Sequence, residues 1–279
     1  MRTRAACASL SYFFKILFEI AKIFSNFIVP FQMEILNDKK HIISKLQKNI
    51  LQWQGFKPGQ AADAERFGLG VIEDAFPNGV FPTGNIHEFL TPTPEVAAAS
   101  GGFIGGLLSR LMHHEGICVW VGVSRRLFPP ALKVFGVDPE RVIFIDVKNE
   151  QEALWVTEEA LKCEGLSAVV AELQELSFAQ SRRLQLAVEK SRVTGFILRS
   201  DPQKLCTTTC VARWRIDPMP SETEMDMPGV GFPHWQVELL KVRNGNPGVF
   251  QLGWSPDGFM PVNVHETEMP TRVSALKAG

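Results

Sequence analysis

NIHEFLTPTPEVAAASGGFIGGLLSRL, residues 85–111, decides how this chain is read. Ile86 to Leu90 is an apolar run of strand length, and turn residues follow it. Ser100 to Glu115 then reads as a helix, its Gly101, Gly102, Gly105 and Gly106 allowing very close packing. A strand, a loop and a glycine-dotted helix are the frame of a phosphate loop. Such a loop also needs a Lys for the phosphates and a Ser/Thr hydroxyl for magnesium. No lysine lies between Asn85 and Met112.

Outward from this stretch the pattern alternates. Ile117–Val123 (ICVWVGV) is almost wholly apolar, as in a strand buried on both faces. Arg126–Phe135 reads as a short helix, RVIFIDV (141–147) as another buried strand and residues 149–165 as an amphipathic helix. LSAVVAEL (166–173) is a strand, Ala179–Ser191 a helix and VTGFILRS (193–200) a strand. Strands alternating with helices predict a mostly parallel α/β sheet flanked by helices. After Asp201 the style changes. TTTCVARWRIDP (207–218) alternates, and HWQVELLKVRNGNPGVFQLGW (234–254) reads as a β-hairpin around Asn244–Gly248, so late antiparallel strands extend the sheet.

Upstream, Ile42, Ile43, Leu46, Ile50, Leu51 and Trp53 predict an N-terminal helix, followed by a polar linker. The expected organisation is an atypical extension over 1–32, a helix and linker over 33–78, a core over 79–264 and a disordered tail over 265–279. The extension opens with two arginines and a Phe/Ile-rich run. Lys15, Glu19 and Lys22 interrupt that run and no cleavage site follows, which argues against a signal peptide and a membrane span. An over-long start, with Met33 as the true first residue, is the favoured reading. No membrane association is expected.

Composition is that of a globular protein, with 45% hydrophobic and 21% charged residues. A net charge of −1 supplies no global field toward nucleic acid, so DNA contact would need a local patch. Of five cysteines, Cys118 and Cys163 read as buried thiols. Cys206 and Cys210 lack zinc-ligand spacing, so no metal is expected, and the usage suits a reducing cytoplasm.

The order of elements from Lys39 to Trp254 resembles the recombinase core of RecA. The segments carrying it are GLGVIEDAFPNGVFPTGNIHEFL, FGVDPERVIFIDVKNEQEALWVTEEAL and WQVELLKVRNGNPGVFQL. FPTGNIHEF, ALWVTEEALKC, SRRLQLAVEKSRVTGFILR, ARWRI and PGVGFPHWQVELLKVRNGNPG together are similar to the ImuA family, RecA-like and SulA-related accessory proteins of bacterial mutagenesis cassettes. The resemblance implies a RecA-like core and a part in damage-induced, error-prone translesion synthesis (the SOS response). It also implies ImuB, an ImuC-type polymerase and RecA as partners, and leaves a homo-oligomer open.

On that resemblance the phosphate-loop Lys and Thr fall near Gly101 and Gly102, with only Thr91, Thr93 and Ser100 offering hydroxyls. Val123 and Ser124 stand where the water-activating glutamate would end its strand, and Ala171 or Glu172 where the magnesium-associated aspartate would stand. Hydrolysis needs metal and lysine together. No catalysis and no cofactor are expected, with weak ATP binding left open. A divergent DNA-dependent ATPase is the main alternative, and a SulA-like division inhibitor the second.

Surfaces are then expected to carry function. Arg182, Arg183, Lys190 and Arg192 lie on or beside one helix, either as a solvated face paired with Glu189 or as a patch for a partner or DNA. Lys241 and Arg243 resemble the RecA lysines that reach a neighbouring subunit's phosphates, and otherwise are exposed hairpin residues. DPQKLCTTTC occupies the region of RecA's second DNA-binding loop but carries one lysine. Most tryptophans are expected in the core.

Overall fold

The computed structural model describes residues 67–113, 116–124, 127–200, 206–222 and 231–261. The expected N-terminal helix, the extension over 1–32 and the tail lie outside them. The described residues form a nine-stranded sheet: β1 Ile86–Leu90, β2 Cys118–Gly122, β3 Val142–Asp146, β4 Ala168–Leu173, β5 Thr194–Arg199, β6 Ala212–Glu222, β7 Phe232–Val242, β8 Gly248–Ser255 and β9 Gly258–Pro261. Their order is β3-β2-β4-β5-β1-β6-β7-β8-β9. Pairing is parallel from β3 through β6 and antiparallel from β6 to β9. The expected mostly parallel sheet with a late hairpin is therefore present, with β9 as a strand the sequence reading did not anticipate.

Three helices flank the sheet: α1 Pro94–Leu111, α2 Glu150–Leu161 and α3 Phe178–Ser191. Side-chain alternation assigns the faces. Ile86, Val119, Val121, Val169, Ala171 and Ile197 point to a core shared with Ala153, Leu161, Leu184 and Val188 of α2 and α3. His87 and Phe89 point the other way, toward an aromatic layer under α1. There Phe89 stacks on Trp214 and Phe103 lies 5.7 Å from the same indole. Every residue of β1, β2 and β5 is buried, and burial on both faces is why these strands are largely apolar rather than alternating.

Three expectations change here, for β3, for Cys163 and for where the packed body begins. RVIFIDV was expected to be a buried strand, but β3 is the sheet edge, and Ile143 is 50% exposed. Trp155, on the outer side of α2, is 61% exposed, whereas Trp120, Trp214, Trp235 and Trp254 are buried. Cys118 is buried, and burial pushes its thiol up to about 12, but Cys163 just past α2 is exposed. The packed body also begins before residue 79, since Leu69, Ile72 and Phe76 are buried and Phe76 contacts Phe81 and Trp214.

Three of the four glycines expected to allow close approach, Gly102, Gly105 and Gly106, do so, and Gly101 does not. A Cβ on Gly102 would come within 2.8 Å of the Phe135 ring, and one on Gly106 within 2.5 Å of Phe259 and 2.8 Å of Trp254. A Cβ on Gly101 would meet only Leu127, at 3.9 Å. The two sites therefore have opposite expected signs. In a helix interior Gly→Ala gains about 0.5–1 kcal/mol. Gly101→Ala is expected to raise stability by that order, while Gly106→Ala lowers it by about 1–3 kcal/mol through overpacking, read as urea midpoints.

His87 is fully buried and stacked on Phe81 at 4.6 Å. Its Nε2 lies 2.9 Å from the Pro82 carbonyl, and its Nδ1 accepts from Trp214 Nε1 at 3.3 Å, so the neutral ring donates from Nε2. Burial lowers its pKa from 6.5 to about 4. Above pH 6.5 the ring is neutral folded and unfolded alike. Between pH 6.5 and 4 only the unfolded chain takes the proton, so stability falls as pH falls, by about 3 kcal/mol in all. Melting curves across this window are expected to show that slope, and His87→Asn to flatten it.

Candidate functional site

The crevice beyond the carboxyl ends of parallel strands is where open α/β sheets bind ligands. Here its entrance is the turn between β1 and α1. α1 begins at Pro94, with Thr93 as N-cap, six residues earlier than the sequence reading placed it. Pro at the first position and a hydroxyl cap are sufficient start signals, and the small-residue run Ala97–Ala99 propagates as helix. The turn is therefore only Thr91–Thr93. Gly101 and Gly102 stand two turns inside α1, not at its mouth, and Ser100 is buried within the helix. The first-turn positions, where a phosphate would meet the helix, are Pro94 to Ala97.

Those positions have their backbone donors engaged. The Thr91 N–H donates to the Arg199 carbonyl at 2.8 Å, and the Thr91 hydroxyl donates to the same oxygen at 2.8 Å. Pro92 and Pro94 have no N–H. Val96 donates to Thr93 Oγ1 at 3.4 Å and Ala97 to the Thr93 carbonyl at 2.9 Å. Glu95 takes hydrogen bonds from the Thr93 hydroxyl and its own N–H, which hold its carboxyl below the usual carboxylate range. A carboxylate thus occupies the helix start where an anion would bind.

Below the turn lies a cavity of about 770 Å³. Ala97, Ala98, Gly101 and Gly102 of α1 form one wall, and Leu127, Phe128 and Phe135, along a 3-10 segment over Pro129–Phe135, form the facing one. Trp120, Glu172 and Leu198 line it from β2, β4 and β5. Glu172, which with Ala171 stands where the resemblance puts the magnesium-associated aspartate, accepts from Trp120 Nε1 at 2.9 Å. Glu150, the first residue of α2, also lines the cavity and accepts the Gln174 N–H at 2.8 Å. Burial raises its carboxyl above the ordinary value. Val123 and Ser124 lie at the rim.

On the opposite face of β1 the sequence reading missed a charge cluster. Glu88 is fully buried and accepts from Arg199 at 2.6 Å, Arg213 Nε at 2.9 Å and Thr208 Oγ1 at 2.8 Å. The legible signal was a glutamate inside an otherwise apolar strand, with arginines ending one strand and opening another. Lys241 and Arg243 turn inward beside this cluster rather than standing on an open hairpin face. Lys241 Nζ donates to the Thr208 carbonyl at 2.6 Å, and Arg243 donates to the Thr209 carbonyl. Burial lowers the Lys241 pKa, and Cys210 beside it is pushed up to about 12 by its own burial.

The helical patch keeps more exposure. Arg182 and Arg183 side chains are 51% and 60% exposed on α3, and they pair with Glu189 at 3.6 Å and with Glu158 of α2. Lys190 is exposed in the last turn, and Arg192 caps the helix in the left-handed region. The structure therefore separates the candidate residues: Thr91 and Glu172 meet at one cavity, Lys241 and Arg243 lie in the opposite layer, and the arginine patch lies on α3.

Glu88→Gln is expected to cost about 3–5 kcal/mol in urea unfolding, since it leaves two arginines around a neutral, buried group.

The class defined so far is an α/β protein with a parallel sheet, a ligand crevice at its strand ends and a strand–helix turn closed by its own residues. Over 200 residues the chain is 35% identical to Protein ImuA of Caulobacter vibrioides, in strains NA1000 and CB 15, covering 67% of this chain and 80% of each relative. The chain belongs to the ImuA family. No protein-family model matches it. Among solved structures it is similar to the RadB recombinase (16% identity, TM-score 0.47, 68% of this chain and 96% of that one). It is also similar to a KaiC-like protein from Pyrococcus horikoshii OT3 (15% identity, TM-score 0.48, 72% and 99%).

Proposed function

We propose that this protein is a non-catalytic accessory factor of damage-induced, error-prone DNA synthesis, acting through contacts with ImuB, an ImuC-type polymerase and RecA. Membership of the ImuA family supports the accessory role. The single observation that carries the non-catalytic part is the β1–α1 turn. Pro92 in the three-residue turn and Pro94 at the helix start offer no N–H, those of Thr91, Val96 and Ala97 are bonded internally, and Glu95 repels a triphosphate. No lysine stands in the turn or the first turns of α1. The position is that of a nucleotide site; the chemistry is not.

Partner contacts then rest on the outer faces. Of the two basic pairs, Arg182 and Arg183 favour a partner-facing role, because both guanidinium groups are exposed on the outer side of α3. Lys241 and Arg243 instead support the segment before β6.

The purified protein is expected to hydrolyse ATP no faster than background, with or without single-stranded DNA. Turnover abolished by Glu172→Gln would overturn this and favour the divergent ATPase. In pull-downs with ImuB and RecA, Arg182→Glu with Arg183→Glu is expected to weaken binding about tenfold or more without moving the melting temperature.

A further inference from the structure

The cavity beneath α1 has largely apolar walls. Its α1 wall is Ala and Gly, its facing wall Leu127, Phe128 and Phe135, and its volume of about 770 Å³ suits a compact organic ligand. Phe128 at its rim is 69% exposed and adds an aromatic face to that wall. Among the described residues the lining charges have one sign. Glu150 and Glu172 are carboxylates, and no Lys, Arg or His lines the cavity among the described residues. Glu172 holds the Trp120 indole N–H. Glu150 accepts a backbone N–H from Gln174, and its other oxygen is given no donor among the described residues. A carboxylate drawn partly out of water beside apolar walls is costly unless a cation joins it.

We propose that this cavity binds an apolar body ending in a cationic head, an ammonium or guanidinium, with Glu150 receiving the charge and the α1 and Phe135 walls receiving the body. The same chemistry is offered by a free lipophilic amine and by a Lys or Arg following an apolar residue on another protein. The inference rests on the reading that nucleotide does not occupy the crevice. It adds a ligand class to a fold position otherwise left without one.

The test is calorimetric titration of the full chain with phenylbutylammonium, with phenylbutyrate, which has the same body and the opposite charge, and with acetyl-Leu-Phe-Lys-amide. The ammonium is expected to bind at least about tenfold more tightly than the carboxylate. Glu150→Gln is expected to erase most of that preference while leaving the melting temperature in place. Ala98→Trp, at an exposed helix position on the cavity wall, is expected to abolish binding of every probe. Tighter binding of the peptide assigns the natural ligand to a partner chain, and tighter binding of the free amine assigns it to a small molecule. Equal affinity for the ammonium and the carboxylate, unchanged preference in Glu150→Gln, or no binding of any probe at millimolar concentration overturns the proposal. Magnesium-ATP displacing the amine would overturn the non-nucleotide reading as well, whereas failure of the probes with ATP silent overturns only this inference.

Discussion

The rest of the molecule depends on how closely α1 approaches its neighbours. Gly102, Gly105 and Gly106 place helix backbone directly against Phe135, Trp254 and Phe259. These rings come from the 3-10 segment and from β8 and β9, and Trp235 of β7 joins them. One helix face therefore fixes the late antiparallel strands to the parallel half of the sheet. Packed rings cannot yield room for a Cβ as a flexible side chain could, so the constraint is steric and local to a few positions. The same use of small residues has a consequence at the other end of the helix. Ala97, Ala98 and Gly101 have no bulk to offer, and the space beside them stays open as the cavity.

Opposite α1, electrostatics does the corresponding work. Glu88 sits at the meeting of β1, β5 and β6 and binds Arg199 and Arg213. Arg213 also donates to the Cys206 carbonyl, while Lys241 and Arg243 hold the carbonyls of Thr208 and Thr209. The segment entering β6 is thus tied down by cations reaching over it. In an isolated sequence these are surface-like lysines and arginines. In the fold they satisfy carbonyls that have no strand partner, a requirement of any irregular segment near a core.

These two arrangements bear on function in different ways. The β1–α1 turn engages the N–H groups of Thr91, Val96 and Ala97 within itself, which is what the proposed non-catalytic reading rests on. The sheet, helices and crevice remain, and a fold of this kind can serve as a rigid scaffold whose outer faces meet other proteins. Exposed Ile143 on the edge strand and exposed Trp155 on the neighbouring helix α2 are apolar groups of the type that supports such contacts.

The sequence by itself determined the element order. Apolar runs such as ICVWVGV and LSAVVAEL could be satisfied only by strands covered on both faces, and the Asn-Gly turn marked the hairpin. It also determined that no lysine lies between Asn85 and Met112. Tertiary structure decided where α1 starts, since Thr93 caps it and Pro94 opens it six residues before Ser100. It decided that β3 is an edge, since lateral order in a sheet is set by crossover packing and leaves no periodicity in the strand. It decided the roles of Glu88, Glu150, Lys241 and Arg243, because whether a charge meets solvent, a carbonyl or another charge depends on residues far away in the chain. Alternation along a strand says which face a side chain takes, and only packing says what waits there.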